Sequence, residues 1–319
     1  MAGANGMKDT GSNTIRSKVE TYLGERRQAG FQLKASGLYL HSFARFAARR
    51  HHRGPITSRL AVTWAQSSRR RNSRTFAHRI EALQPFLRFW NQRDPRNEIV
   101  PSGFFGPGHR RIRPHIYTSK EIRDLVEAAS CWPTGRSHAE TYSTLFGLLA
   151  TTGMRVSEAL KLRRKDVDLD QGILTIVETK FKKSRYVLLH PSTTRALERY
   201  VKQRDKHLAN AQSEHFFAIA GRPVSIDRVE KVFDGIRRRL GWRCRGDHPQ
   251  PRIHDLRFTF ICRRIERWYA QGRDVNHLML SLSTYVGHAM PSSTYWYITA
   301  TPKLMALAAH RSRRAGARV

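Results

Sequence analysis

Between Asn13 and about Trp90, apolar residues recur three and four positions apart, as in Phe76, Ile80, Leu83 and Leu87. That period predicts helices near residues 13–28, 33–52, 56–67 and 72–92. Gly30, Gly54-Pro55 and the basic stretch Ser67 to Ser73 punctuate them, and Pro85 is expected to kink or interrupt the last. The result is a bundle of about four helices over 13–92, behind a flexible leader of residues 1–12. Four prolines and three glycines between Asn91 and Pro114 then resist regular structure, so 93–116 reads as an extended basic linker.

A second domain, 117–319, opens on Thr118-Ser119-Lys120-Glu121, a capping box before a helix through Ala129. Ser143 to Thr151 is an apolar helix ending at Gly153, another helix starts near Arg155, and Asp166 to Gly172 reads as a turn. Ile173–Thr179 and Arg185–His190 alternate as two antiparallel strands around Lys180-Phe181-Lys182-Lys183-Ser184. Helices are expected near 192–206, 225–240, 254–271 and 275–286, with a short strand over 215–219. After a break at Gly287-His288, Ser292 suits the N-cap of a helix carrying Tyr295 and Tyr297, and a final short helix runs over 302–311. The predicted fold class is mainly α with a small antiparallel β-sheet (α+β).

Charge narrows the function. Of 319 residues, 58 are Lys or Arg against 25 Asp or Glu, a formal +33, which points to a polyanionic partner. The excess is spread: 22 basic against 6 acidic residues before position 117, and 36 against 19 from there on. Both halves are therefore expected to face phosphates, as in a clamp around a duplex. Arg69, Arg70, Arg71 and Arg74 lie where a loop and helix N-terminus would grip a DNA backbone. No apolar run approaches the ~20 residues needed to span a bilayer, and the first residues lack the apolar core of a secretory signal. Three scattered cysteines, Cys131, Cys244 and Cys262, suggest a reducing compartment with neither a disulfide framework nor a zinc site. A cytoplasmic location follows as an expectation.

Four separated pieces carry candidate chemistry. Arg155, in Thr152-Gly153-Met154-Arg155-Val156-Ser157-Glu158, opens a helix; taken alone it would form an ion pair with Glu158. His254-Asp255-Leu256-Arg257 sets His and Arg three apart on one helical face. Lys180 sits at the strand-to-strand connection, with Lys182 and Lys183 as competitors. Gly287-His288 precedes Tyr297 by nine residues, and Tyr295 competes with it.

In this order and spacing, Arg, Lys, HxxR, GH and Tyr over 117–302 resemble the tyrosine recombinases, the family of phage integrases and Xer-type resolvases. The helical 13–92 region is similar in kind to that family's core-binding domain. The resemblance implies a metal-independent strand-transfer enzyme without cofactor, with Tyr297 attacking a phosphate and held as a 3′-phosphotyrosyl link. Arg155 and Arg257 would fork onto phosphate oxygens, His254 would accept the tyrosine proton, Lys180 would protonate the leaving oxygen, and His288 would hydrogen-bond the phosphate. Glu158 would buttress Arg155. The implied partner is double-stranded DNA of a mobile element, bound by a homotetramer or mixed recombinase tetramer on synapsed sites, with the last helix docking on a neighbour. A type IB topoisomerase or a non-catalytic DNA-binding relative are the alternatives.

Overall fold

The computed structural model describes residues 14–106, 112–133, 135–177, 184–207, 213–288, 290–300, 304–307 and 309, and the chain divides into two compact units, 1–111 and 112–319. The first unit holds α1 (Ile15–Gln28), α2 (Lys34–Arg49), α3 (Ser58–Gln66) and α4 (Ser73–Arg93). Thr14, Thr57 and Asn72 cap α1, α3 and α4 by accepting from backbone N–H groups in the first turn. The apolar stripes meet in one core around Val19, Leu23, Phe43, Trp64, Leu83 and Phe86.

Two expectations change here. Helix α4 runs unbroken through Pro85. Pro85 sits on the exposed face, where water is available to stand in for the backbone bond it cannot donate, while Leu83, Gln84, Phe86 and Leu87 around it are buried. The linker expected over 93–116 is also shorter at both ends. Asn97 is fully buried, its Oδ1 accepting from Lys18 Nζ at 2.9 Å and from the Ile56 N–H at 3.0 Å. Val100 is buried too and accepts from Gln84 Nε2, so residues 94–100 belong to the first unit. At the other end Arg113 pairs with Asp247 at 2.9 Å and His115 is fully buried, both within the second unit.

The second unit begins with the expected capping box, Thr118 and Glu121, on α5 (Ser119–Ser130). Helix α6 (Arg136–Thr152) starts seven residues before Ser143: its polar opening is held by an Arg136–Glu140 pair at 3.0 Å and by the buried Ala139 and Tyr142. Then come α7 (Val156–Lys161), β1 (Val167–Asp168), β2 (Ile173–Ile176), β3 (Arg185–Leu188) and α8 (Pro191–His207). Strands β1, β2 and β3 form one antiparallel sheet in that order, so part of the expected Asp166–Gly172 turn is an edge strand. The strand expected over 215–219 shrinks to β4 (Ala218–Ile219), paired with β5 (Arg222–Pro223). The turn between them has both central residues, Ala220 and Gly221, at positive φ (48° and 73°), the geometry a tight hairpin requires. Helices α9 (Ile226–Arg239), α10 (Asp255–Ala270), α11 (Val275–Val286) and α12 (Ser292–Tyr295) follow, and a 3₁₀ turn over Trp296–Ala300 carries Tyr297.

Helix α10 joins two cores. Its Leu256 lies in the cluster that α5, α6, the three-stranded sheet, α8 and α9 share, while its Phe260, Ile261 and Ile265 pack with Met279, Leu282, Val286, Tyr297 and Leu304. Residues anchored in either core can therefore meet at the N-terminal end of α10. The expected 302–311 helix is described only in part: residues 304–307 are helical and Leu304 is fully buried in its own unit.

Candidate active site

Arg155 is the N-cap residue of α7, and Glu158, in the third position of that helix, accepts its backbone N–H at 2.9 Å. The same carboxylate accepts Arg155 Nη1 at 2.6 Å. It is also gripped by Arg185 from β3, at 2.8 Å through Nη2 and 3.3 Å through Nη1. Burial works against the charged form of Glu158, but the bonds from Arg185 and Arg155 outweigh it and hold the carboxyl below its ordinary range. Both arginines reach on to main-chain carbonyls at the end of α11: Arg185 Nε to Tyr285 at 2.8 Å, Arg155 Nη2 to Gly287 at 3.2 Å.

Arg257 enters from the first turn of α10 and is 2% exposed. Its Nη1 donates to the Gly153 carbonyl at 2.8 Å, and its Nη2 is buried with no hydrogen-bond partner among the described residues. Burial and then the neighbouring Arg155 charge push this guanidinium down to about 10. His254 holds the N-cap position of α10 without a side-chain capping bond, its ring edge-on to Phe258; the residue is exposed, and desolvation of the ring, then Arg257 and Arg252, pull its imidazole below the ordinary value. His288 follows the left-handed C-cap Gly287 (φ 72°), and burial, then Arg257, Arg155 and Arg185, push it to about 3. Both imidazoles are thus neutral at pH 7.

Tyr297 is 4% exposed and lies against Phe258 (ring centroids 4.9 Å apart) and His288 (5.7 Å). Burial raises its phenol, and the Arg257 charge pulls in the opposite direction. The arrangement is a buried hydroxyl beside two guanidiniums, one with an unused N–H, and two neutral imidazoles. Such a donor set stabilises a multiply charged oxyanion in a desolvated pocket. Among the described residues, no group of three or more His, Cys, Asp or Glu is placed to hold a metal ion.

Gly153 has a second constraint besides its carbonyl. It ends α6 in the left-handed region (φ 65°), and a Cβ there would come within 2.4 Å of the Phe260 ring on α10. The Gly153→Ala variant is expected to lose about 2–4 kcal/mol of stability from overpacking and backbone strain. A urea titration checks this; a loss under about 0.5 kcal/mol would mean that α10 yields there at little cost.

Residues 116–303 match the phage integrase family. The chain belongs to that family. It is 36% identical over 308 residues to y4rB, a candidate integrase/recombinase of Sinorhizobium fredii, covering 95% of this chain and 98% of that one. It is 25% identical over 233 residues to the tyrosine recombinase XerC of Lactobacillus delbrueckii subsp. bulgaricus, covering 70% and 72%. The fold matches that of the XerH site-specific recombinase, solved on a palindromic difH substrate after cleavage, with a TM-score of 0.66, 17% identity and coverage of 93% and 84%.

Within this phage integrase fold, Arg155, Glu158, His254, Arg257, His288 and Tyr297 lie together, whereas Tyr295 is 39% exposed. Lys180, Lys182 and Lys183 lie outside the described residues. Arg69, Arg70, Arg71 and Arg74 are exposed on the α3–α4 connection and first turn of α4, in the first unit, with no ion pair among the described residues. Ser292 is not the cap expected: Pro291 holds that position, in helical backbone, with no side-chain hydrogen bond. The residue that sequence reasoning missed is Arg185. Its signal was present, since Ile176 opposite it and Val187 two residues on both face the core, so its parity on β3 is inward.

Proposed function

We propose that this integrase-family chain is a site-specific recombinase that exchanges DNA strands through a covalent link to Tyr297. The observation that carries the reading is the buried Arg257, which among the described residues has no hydrogen-bond partner for Nη2 and no carboxylate bonded to its guanidinium. A buried donor, and three guanidiniums around the single Glu158 carboxylate, call for an anion. One non-bridging phosphate oxygen would take that N–H and a neighbouring oxygen the Arg155 fork, in a desolvated setting where such bonds are strong.

Tyr297 Oη then attacks phosphorus, its proton passing to His254. The bond from phosphorus to the 5′-oxygen breaks, and that oxygen leaves protonated, with Lys180 as the donor that the family pattern supplies. A 3′-phosphotyrosyl bond replaces the phosphodiester, so a 5′-hydroxyl from another strand can reverse the step without external energy. The unpaired arginines at 69–71 and 74 support a backbone-gripping role for the first unit. Membership of the phage integrase family suits a mobile element as the source of the DNA, and the reading extends to a tetramer on two synapsed sites.

The test uses a duplex selected from a randomised pool by retention on the full chain, then nicked near its centre so that a short fragment escapes after cleavage. A protease-sensitive covalent adduct on the 3′ side, leaving a 5′-hydroxyl that a kinase labels, is the expected product. Adducts on the 5′ side, or none, would overturn the proposal. Relaxation of supercoiled plasmid lacking any selected sequence would favour a topoisomerase instead.

A further inference from the structure

We propose that Thr294 is a positioning residue that keeps the proton of His288 on Nε2, so that this imidazole meets the scissile phosphate as a hydrogen-bond donor. The inference rests on the recombinase reading above. Thr294 lies in α12 and is fully buried, with Oγ1 2.7 Å from His288 Nδ1. Among the described residues the hydroxyl has no other hydrogen-bond partner. Its own proton therefore has one destination, Nδ1. If Nδ1–H donated to Oγ1 instead, a buried hydroxyl proton would be left with no acceptor, an arrangement native structures avoid.

A neutral imidazole carries one N–H, so a ring that accepts at Nδ1 must hold its proton at Nε2. The ring is neutral here because burial and the charges of Arg257, Arg155 and Arg185 oppose the imidazolium, with His254 adding in the same direction. It is also held in place: the His288 N–H donates to the Ser283 carbonyl at 3.0 Å, and the ring stacks on Tyr297 with a 27° interplanar angle. Nε2 has no protein partner among the described residues, which leaves its N–H for the substrate. The opposite tautomer would present a lone pair to anionic oxygens and compete with His254 for the Tyr297 proton. One hydroxyl thus separates the roles of the two histidines.

The experiment uses the full chain with ¹⁵N-labelled histidine rings, the His288 signals being assigned by their loss in His288→Gln. The parent should show the Nε2-protonated pattern. Thr294→Val, equal in shape but without the hydrogen bond, should show mixed tautomers. Its single-turnover cleavage of the selected nicked duplex should fall at least about tenfold, as for loss or misalignment of one preorganised donor, with duplex affinity unchanged. Thr294→Ser, which keeps the hydroxyl, should restore the ring signals and most of the rate. An Nδ1-protonated parent, or a Thr294→Val protein cleaving at the parent rate, overturns the proposal. If the parent itself forms no covalent adduct, the recombinase reading fails, and the ring signals alone still decide the tautomer.

Discussion

The Tyr297→Phe variant is expected to bind duplex DNA as the parent does and to form no covalent complex with it. The substitution removes one oxygen and keeps the ring that packs on Phe258, His288 and Trp296, so the local fold should survive. Arg155 and Arg257 still offer their charges to the phosphate, which is why binding persists while chemistry stops. Tyr295→Phe should retain the adduct, since Tyr295 lies outside the buried cluster and is 39% exposed. A denaturing gel of the nicked duplex separates the two outcomes: an adduct in Tyr297→Phe would remove this residue from the reaction.

The second large effect is expected at Glu158. Its carboxylate is a hub: it caps α7, neutralises Arg155, and is the ion-pair partner of Arg185, which like Glu158 is 8% exposed at its side chain. Glu158→Ala strands a buried guanidinium and should cost about 3–5 kcal/mol of folding stability, along with most of the cleavage rate. The double variant Glu158→Leu with Arg185→Met removes both buried charges and should regain part of that stability but not the rate, because Arg155 is still unsupported. The contribution has a pH signature. The folded carboxyl titrates below its ordinary value, so the stabilisation is present above the ordinary carboxylate range and is lost as pH falls through the folded value. Urea midpoints at neutral and acidic pH decide the matter. A Glu158→Ala protein within 1 kcal/mol of the parent would show that solvent reaches this site freely.

Much of this was open to reading from the chain. The spacings Arg155–Glu158 and His254–Arg257 are three residues, so helix geometry alone brings each pair together, while His288 and Tyr297 meet across the break at Gly287, through α12 and the 3₁₀ turn that follows it. Helices capped by Thr14, Asn72, Thr118 and Asp274 begin near where their caps imply, because capping is settled within one turn. What stayed hidden depends on distant partners. Asn97 looks like a loop residue until Lys18 and the Ile56 backbone, 79 and 41 positions away, take up its amide. Arg185 reads as one more cation in a basic hairpin until strand parity turns it inward to Glu158, 27 positions back. Composition reports neither kind of bond.

The two guanidiniums of the site take their aim from main-chain carbonyls, Gly153 for Arg257 and Gly287 for Arg155. A carbonyl carries no side-chain identity, so this alignment is inherited from the path of the backbone. For Arg257, held by the Gly153 carbonyl, neighbouring side chains can be rewritten over evolutionary time without loss of aim, whereas Arg155 leans on the Glu158 carboxylate as well. The two glycines are the exception, since a methyl group at the first meets the Phe260 ring and at the second comes within 2.5 Å of Arg185 Nη1. A lineage built this way can drift far in sequence while its reactive geometry stays tied to two points where no side chain fits.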